Sequence, residues 1–254
     1  MKFIYRFFFL AILGLNMVAC EKIKEATELN PAANSSMQVV HAAPDATTPL
    51  PLYDIVVDGL VVNGSRRISY GIASQSGGGG SAPAYLPLFE GTRNVKISRD
   101  SGKTSVIDVS LLFEKNKSYT VVAYDTLVAG KLRVVRLNDD LTRPASGNTH
   151  VRFVHAAPNA PAVDFTLLRT APSSDSVTLT NRTYLGANPN VDAVSAFAPV
   201  PGGTYTLRVK LAGTQTLVTS VSLGATLSAG RIVTFYATGT AQSRPLTVLT
   251  TRHF

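Results

Sequence analysis

The chain has 254 residues, 45% of them hydrophobic and 16% charged, a balance that excludes a wholly disordered chain and is enough for two domains that each bury a core. Lys and Arg outnumber Asp and Glu by 24 to 16, or by 22 to 16 once Lys2 and Arg6 of the leading segment are set aside. The surplus is spread along the chain with no basic run interleaved with aromatics, which argues against a nucleic-acid partner.

At the amino end, Lys2 and Arg6 precede an apolar run over residues 7–15 that is too short for a stable membrane span. Met17-Val18-Ala19-Cys20 then resembles a lipobox, with small Ala19 before the cysteine and Met17 where leucine is usual. Cys20 is the single cysteine, so it has no internal disulfide partner, and its position marks it as the lipidation site. Residues 1–19 therefore read as a lipoprotein signal peptide and residues 20–36 as a lipidated tether. The partner this implies is a membrane, reached through acyl chains, and the location is the cell envelope. The outer membrane is expected, on either its periplasmic or its surface face.

From Met37 onward, short β-rich segments alternate with turn residues, and no stretch carries a helical period. The first runs over 37–41 and stops at Ala42-Ala43-Pro44, where proline cannot donate to a ladder. The next runs over 52–58 and closes on Asp58-Gly59. Further segments cover 66–70, 84–89, 93–99, 105–113, 118–124 and 132–137, with Asp100-Ser101-Gly102 as a tight hairpin turn. Gly77-Gly78-Gly79-Gly80 reads as a flexible loop tip, because it lacks the Lys-Ser/Thr that follows in a phosphate loop.

The second half repeats this order. Val154-His155-Ala156-Ala157-Pro158 answers Val40-His41-Ala42-Ala43-Pro44, Asp164 answers Asp54, and Tyr184 answers Tyr70. Asn116-Lys117-Ser118-Tyr119-Thr120 answers Gly230-Arg231-Ile232-Val233-Thr234, Asn tolerating the left-handed backbone that Gly adopts freely. An ordered match of this length indicates an internal duplication. The expected fold is all-β: two tandem antiparallel immunoglobulin-like β-sandwich domains, over 37–143 and 148–254, joined by a polar linker from Asn138 to Asn148. Each half is expected to have its own apolar alternation and to fold by itself.

The segment 151–164, Val-Arg-Phe-Val-His-Ala-Ala-Pro-Asn-Ala-Pro-Ala-Val-Asp, resembles the opening of domain-of-unknown-function family 4397. Gly203-Thr204-Tyr205 and the segment from Gly230 to Thr234 fit its later pattern. Two copies would cover nearly all of the mature chain, the first with a longer loop at 47–52 and with Met37-Gln38 where Val-Arg is expected. The resemblance implies bacterial envelope or secreted β-sandwich proteins without an established activity.

The residues that invite a chemical reading are His41 with Asp54 and His155 with Asp164. A His–Asp pair can orient a catalytic imidazole, as in an envelope hydrolase. A nucleophile elbow is absent, however, and no serine is singled out by the repeat. The repeated His41, Pro44 and Asp54, and His155, Pro158 and Asp164, therefore read as a structural corner in which ring and carboxylate bond to each other or to turn amides. No metal ligand set stands out: His150 and His155 fall on opposite faces of one strand, His253 lies near the carboxyl end, and Asp139-Asp140 reads as a solvated acidic turn. The tyrosines at strand positions read as core or cross-strand packing rather than a glycan platform. No cofactor is implied. The sequence thus points to a non-enzymatic envelope lipoprotein, a binding or structural module for a protein or glycan partner, with hydrolase and glycan-binding module as the alternatives. Recognition would fall on the loops at 47–52, 74–82 and 170–176.

Overall fold

A computed structural model describes residues 33–44, 51–64, 67–71, 85–99, 103–126, 131–172, 174–240 and 244–253. The signal segment with Cys20, the hairpin turn at 100–102, the glycine run at 77–80 and most of the loops at 47–52 and 74–82 lie outside these residues.

The first half contains β1 (Ser35–His41), β2 (Asp54–Val57), β3 (Leu60–Val61), β4 (Leu86–Leu88), β5 (Gly91–Arg99), β6 (Thr104–Phe113), β7 (Ser118–Tyr124) and β8 (Arg133–Asp139). The second contains β9 (Asn148–His155), β10 (Val163–Ala171), β11 (Asp175–Arg182), a one-turn helix α1 (Val191–Ser195), β12 (Ala198–Pro201), β13 (Gly203–Leu211), β14 (Leu217–Leu227), β15 (Ile232–Thr240) and β16 (Arg244–Arg252). Each half forms two four-stranded sheets, β4-β1-β7-β8 and β3-β2-β5-β6 in the first, β12-β9-β15-β16 and β11-β10-β13-β14 in the second. Strand by strand, the two halves have the same order. The fold is all-β, two tandem sandwiches.

Local chemistry explains the turns. Asp58 and Gly59 both have positive φ, 49° and 85°, the pairing a type I′ hairpin needs between β2 and β3. Asn116 and Gly230 occupy the same left-handed turn before β7 and β15, at φ 59° and 84°. Within each sandwich one strand pair departs from the antiparallel expectation. β1 runs parallel to β7 and β9 parallel to β15, from Ser36 opposite Ser118 to His41 opposite Ala123 in the first case. Parallel pairs favour cover on both faces, and these strands have it.

Met37 and Val39 of β1, Ile55 of β2, Val95 and Ile97 of β5, and Tyr119, Val121 and Ala123 of β7 fill the first sandwich. Val151 and Phe153, Phe165, Leu207 and Val209, and Val233 and Phe235 fill the second. The alternate residues of the same strands build a third core. Val40, Ala42, Val122, Tyr124, Val135 and Leu137 of the first half meet Val154, Ala156, Leu185 and Tyr236 of the second. The molecule is therefore a stack of four sheets whose two inner members are buried on both faces. Each half thus has a core of its own and shares this third one with the other. A sheet with two apolar faces exposes one of them if its neighbour is removed.

The contact across this seam is reciprocal. Tyr124 donates to the Gly186 carbonyl and Tyr184 to Asp125, while Thr238 donates to the Ala42 carbonyl and lies 3.3 Å from the Tyr70 hydroxyl. Tyr70 and Tyr184 are the same position in the two halves, as are Tyr124 and Thr238, so each half presents one patch to its copy on the other, as in a two-fold dimer.

The helix α1 follows Asn188-Pro189-Asn190, where the sequence shows no helical period. Asn190 caps it, its side chain accepting from the Ala193 amide at 3.1 Å. Ser195 at its end takes the Asn138 amide of β8 on its hydroxyl at 3.0 Å.

If the third core unites the halves, truncating Leu137, 0% exposed, acts on both. Leu137→Ala is expected to cost about 2–5 kcal/mol and to shift one common urea transition read by circular dichroism. Two resolved transitions with only one displaced would contradict this.

Candidate functional site

The sequence-singled residues separate in the structure. Strand alternation turns Asp164 away from the core neighbours Val163 and Phe165, toward the surface. There its carboxylate accepts from the amides of Asn181 at 2.8 Å and Gly213 at 2.9 Å, which hold its pKa below the usual carboxylate value. His155 points the other way, into its sandwich, where its Nε2–H donates to the Pro161 carbonyl at 3.1 Å and its ring meets Tyr184 edge-on. Burial lowers its pKa and keeps it neutral. His155 and Asp164 thus do not bond to each other. In the first half, Asp54 accepts from Arg67 Nε at 3.0 Å, and His41 packs against Tyr53 and Tyr70 with ring centroids 5.2 and 6.4 Å away. Pro44 and Pro158 are buried. The alanines between histidine and proline have a role of their own: Ala42 and Ala156 face the seam, where small side chains let the inner sheets approach.

The polar cluster that the fold does assemble lies in that seam, on residues the sequence reading passed over. Asp139, read above as part of a solvated linker turn, ends β8 with a fully buried carboxylate, and Arg152 of β9 is 1% exposed. Arg152 Nη2 stands 2.8 Å from Asp139 Oδ1. The rest of its guanidinium is held by Thr234 Oγ1 at 3.1 Å, the Asn138 carbonyl at 3.2 Å and the Ser195 carbonyl at 3.3 Å, and it lies 4.4 Å over the Phe197 ring. Asp139 Oδ2 accepts from Thr120 at 2.6 Å and Tyr85 at 2.7 Å. Each charge therefore has partners, the condition for holding an ion pair away from water.

His253 closes the cluster. Its Nδ1 receives a bond from Gln38 Nε2 at 3.0 Å and its Nε2 faces Thr234 Oγ1 at 2.8 Å. Since the Gln38 amide can only donate here, Nδ1 is the acceptor and Nε2 carries the proton. Burial, opposed in part by Asp139 and reinforced by Arg152, lowers the His253 pKa to about 4. Tyr85 lies 2.6 Å from the same Nδ1, and burial beside Asp139 raises its pKa. The charges and hydrogen bonds of the cluster are satisfied by one another across the seam.

A cavity of about 550 Å³ opens beside the β6–β7 turn and the linker, lined by Glu114, Lys117, Asn138, Asp139 and Asp140 among others, so that it adjoins the cluster at Asp139. Among the described residues no group of His, Cys, Asp or Glu side chains is arranged to hold a metal ion. Tyr53, Tyr119, Tyr124, Tyr205 and Tyr236 are all buried, which removes them from any exposed aromatic platform.

The pKa of His253 carries a stability consequence. A histidine held neutral in the fold, at about 4 against 6.5 unfolded, contributes fully above pH 6.5 and loses its contribution as the pH falls from there toward 4. The loss reaches about 3 kcal/mol for this one proton, and His155 adds to it in the same direction. Urea midpoints measured from pH 7.5 to 4.5 should fall on acidification, and His253→Gln should flatten the slope. An unchanged slope in the variant would show that His253 is not the buried neutral group.

No curated protein matches this chain. Among solved structures, the Bacillus anthracis TIE protein aligns at 13% identity over 81% of this chain and 34% of its own, with a TM-score of 0.22. The chain spans about a third of that protein's length. A family model described as a domain of unknown function, DUF4397, matches residues 35–166, from β1 through the first sandwich and into β10 of the second. That match takes in more than half of the 254 residues, and the chain belongs to the DUF4397 family.

Proposed function

We propose that this protein is a non-enzymatic lipoprotein of the cell envelope, held to the outer membrane by acyl chains on Cys20, with its two sandwiches acting as one rigid binding or structural module. The second sandwich is a second copy of the family domain, with the same strand order as the first. The observation that carries the reading is where the imidazoles lie. His41, His155 and His253, three of the four histidines, are 1%, 2% and 3% exposed. General acid–base work needs a titrating group within reach of a substrate proton, and these rings are sealed inside a packed body.

The hydrolase alternative loses its principal pair, because the Asp164 carboxylate is engaged by two turn amides and His155 by a carbonyl. The glycan alternative loses most of its aromatic candidates to the core. What remains for recognition is the outer surface: the exposed residues of β3, β5 and β6 and of β10, β11 and β13, and the loops at the sandwich ends.

Three measurements test the proposal. Cys20→Ala should move the protein from the detergent-soluble membrane fraction to the soluble fraction, and an unchanged membrane fraction would refute the anchor. A fluorophosphonate probe should leave the purified protein unlabelled. His155→Ala should cost about 1–3 kcal/mol of stability by leaving the Pro161 carbonyl without its donor. Covalent labelling that disappears in His155→Ala, at an unchanged denaturation midpoint, would make the protein an enzyme.

A further inference from the structure

The seam cluster has an internal symmetry. Position 152 follows position 38 by 114 residues, and the same interval separates 120 from 234 and 139 from 253. The cluster is therefore one set of positions used twice. Thr120 and Thr234 are alike, but Gln38 faces Arg152 and Asp139 faces His253 as equivalents of different chemistry. The contacts are reciprocal as well: Gln38 of the first half meets His253 of the second at 3.0 Å, and Arg152 of the second meets Asp139 of the first at 2.8 Å.

We infer that each inner sheet is one half of a two-fold docking surface whose partner is a copy of the other half, and that positions 38, 139, 152 and 253 make it reject a copy of itself. The reasoning is electrostatic. A first-half surface meeting its own copy brings together two Asp139 carboxylates, each beside a Gln38, with no cation. A second-half surface meeting its own copy brings together two Arg152 guanidiniums, each beside a His253, with no carboxylate. Either pairing buries like charge without compensation, which is far costlier than a paired ion. Only first against second gives each charge its opposite. The apolar part of the seam, with Val40, Val122, Leu137, Val154 and Tyr236, supplies adhesion but distinguishes the two halves poorly. The four polar positions supply the choice, the role charges take where specificity is a difference of affinities.

The two-fold relation makes a test available in the intact chain. Four versions are compared by urea denaturation at pH 7.5: wild type, Arg152→Gln with His253→Asp, Gln38→Arg with Asp139→His, and all four substitutions together. The first double variant gives both surfaces Gln and Asp, the second gives both Arg and His, and the quadruple variant transposes the network across the axis. Each double variant is expected to lose about 1 M or more in urea midpoint, or to fail to fold. The quadruple variant is expected to fold and regain at least half of that loss. Full recovery is not expected, since Phe197 stays on the side that Arg152 leaves. A quadruple variant no more stable than the doubles, or doubles with the wild-type midpoint, would overturn the inference. As a second readout, the wild-type chain is cut after folding at a protease site inserted between Ala145 and Ser146, both exposed. Native mass spectrometry of the cut chain should find one first half bound to one second half. Pairs of identical halves, or separated halves, would likewise overturn it.

Discussion

The structure depends on four strands that have no solvent face. β1, β7, β9 and β15 sit in the middle of the two inner sheets, and each points one set of side chains into its own sandwich and the other into the seam. Tyr119, Val121 and Ala123 go inward from β7 while Thr120, Val122 and Tyr124 go to the seam, and all six are buried. Such a strand is stable only with a layer on each side. The outer sheets supply one and the opposite half supplies the other, so the duplication is a structural requirement as well as a repeat. The parallel pairing of β1 with β7 and of β9 with β15 belongs to the same arrangement, placing two strands buried on both faces side by side at the centre of each half.

A seam of this kind would be simplest if wholly apolar, and replacing a buried ion pair by packed hydrophobic groups is often neutral or stabilising. Arg152 and Asp139 are thus poorly explained as a source of net stability. They are better explained by what they exclude. Two apolar sheets slide over one another at little cost, whereas an ion pair satisfied by Thr120, Thr234, Tyr85 and two carbonyls exists in one register only. His253 has the same property. Its neutral ring fits only between a donor at Gln38 and an acceptor at Thr234. A charge-free bonding pattern beside Arg152 is what burial demands of it.

Much of this was legible in the sequence, and the rest has identifiable reasons for being hidden. Most of the strand segments, the Asp58-Gly59 turn, the left-handed Asn116 and Gly230, and the correspondence of the halves follow from local chemistry and the structure keeps them, but in place of the strand expected over 66–70 only Ile68 forms an isolated bridge, with Tyr53, and β3 was not expected. The seam does not follow from local chemistry. In Gln38-Val39-Val40-His41 and Arg152-Phe153-Val154-His155, a polar residue opens an otherwise apolar run, as a solvent-facing residue would. Asp139 beside Asp140 resembles a solvated turn, and His253 stands next to the last residue. A signal was nevertheless available in the apolar runs themselves. Val121-Val122-Ala123-Tyr124 and Val233-Thr234-Phe235-Tyr236 lack the polar alternation of a sheet with one wet face, which marks cover on both sides. The one-turn helix α1 was hidden for a different reason, since five residues are too few to show a period, and only the cap at Asn190 announces it.

The same burial shapes what is left for function. Arg152, Asp139 and His253 are engaged with one another's halves inside the seam, so the exposed side chains lie on the outside of the stack. That outside has a direction. The chain joins the folded body at Asn34, whose carbonyl accepts from the Asn116 amide at 2.6 Å, beside the linker and the cavity at Lys117 and Asp140. Ala42, Tyr70, Tyr124, Tyr184 and Thr238 lie at the opposite end of the inner strands, where the halves exchange their reciprocal bonds. Because the seam fixes one half against the other, the bonds of Tyr70, Tyr124, Tyr184 and Thr238 hold the strand ends of both sandwiches at a constant spacing.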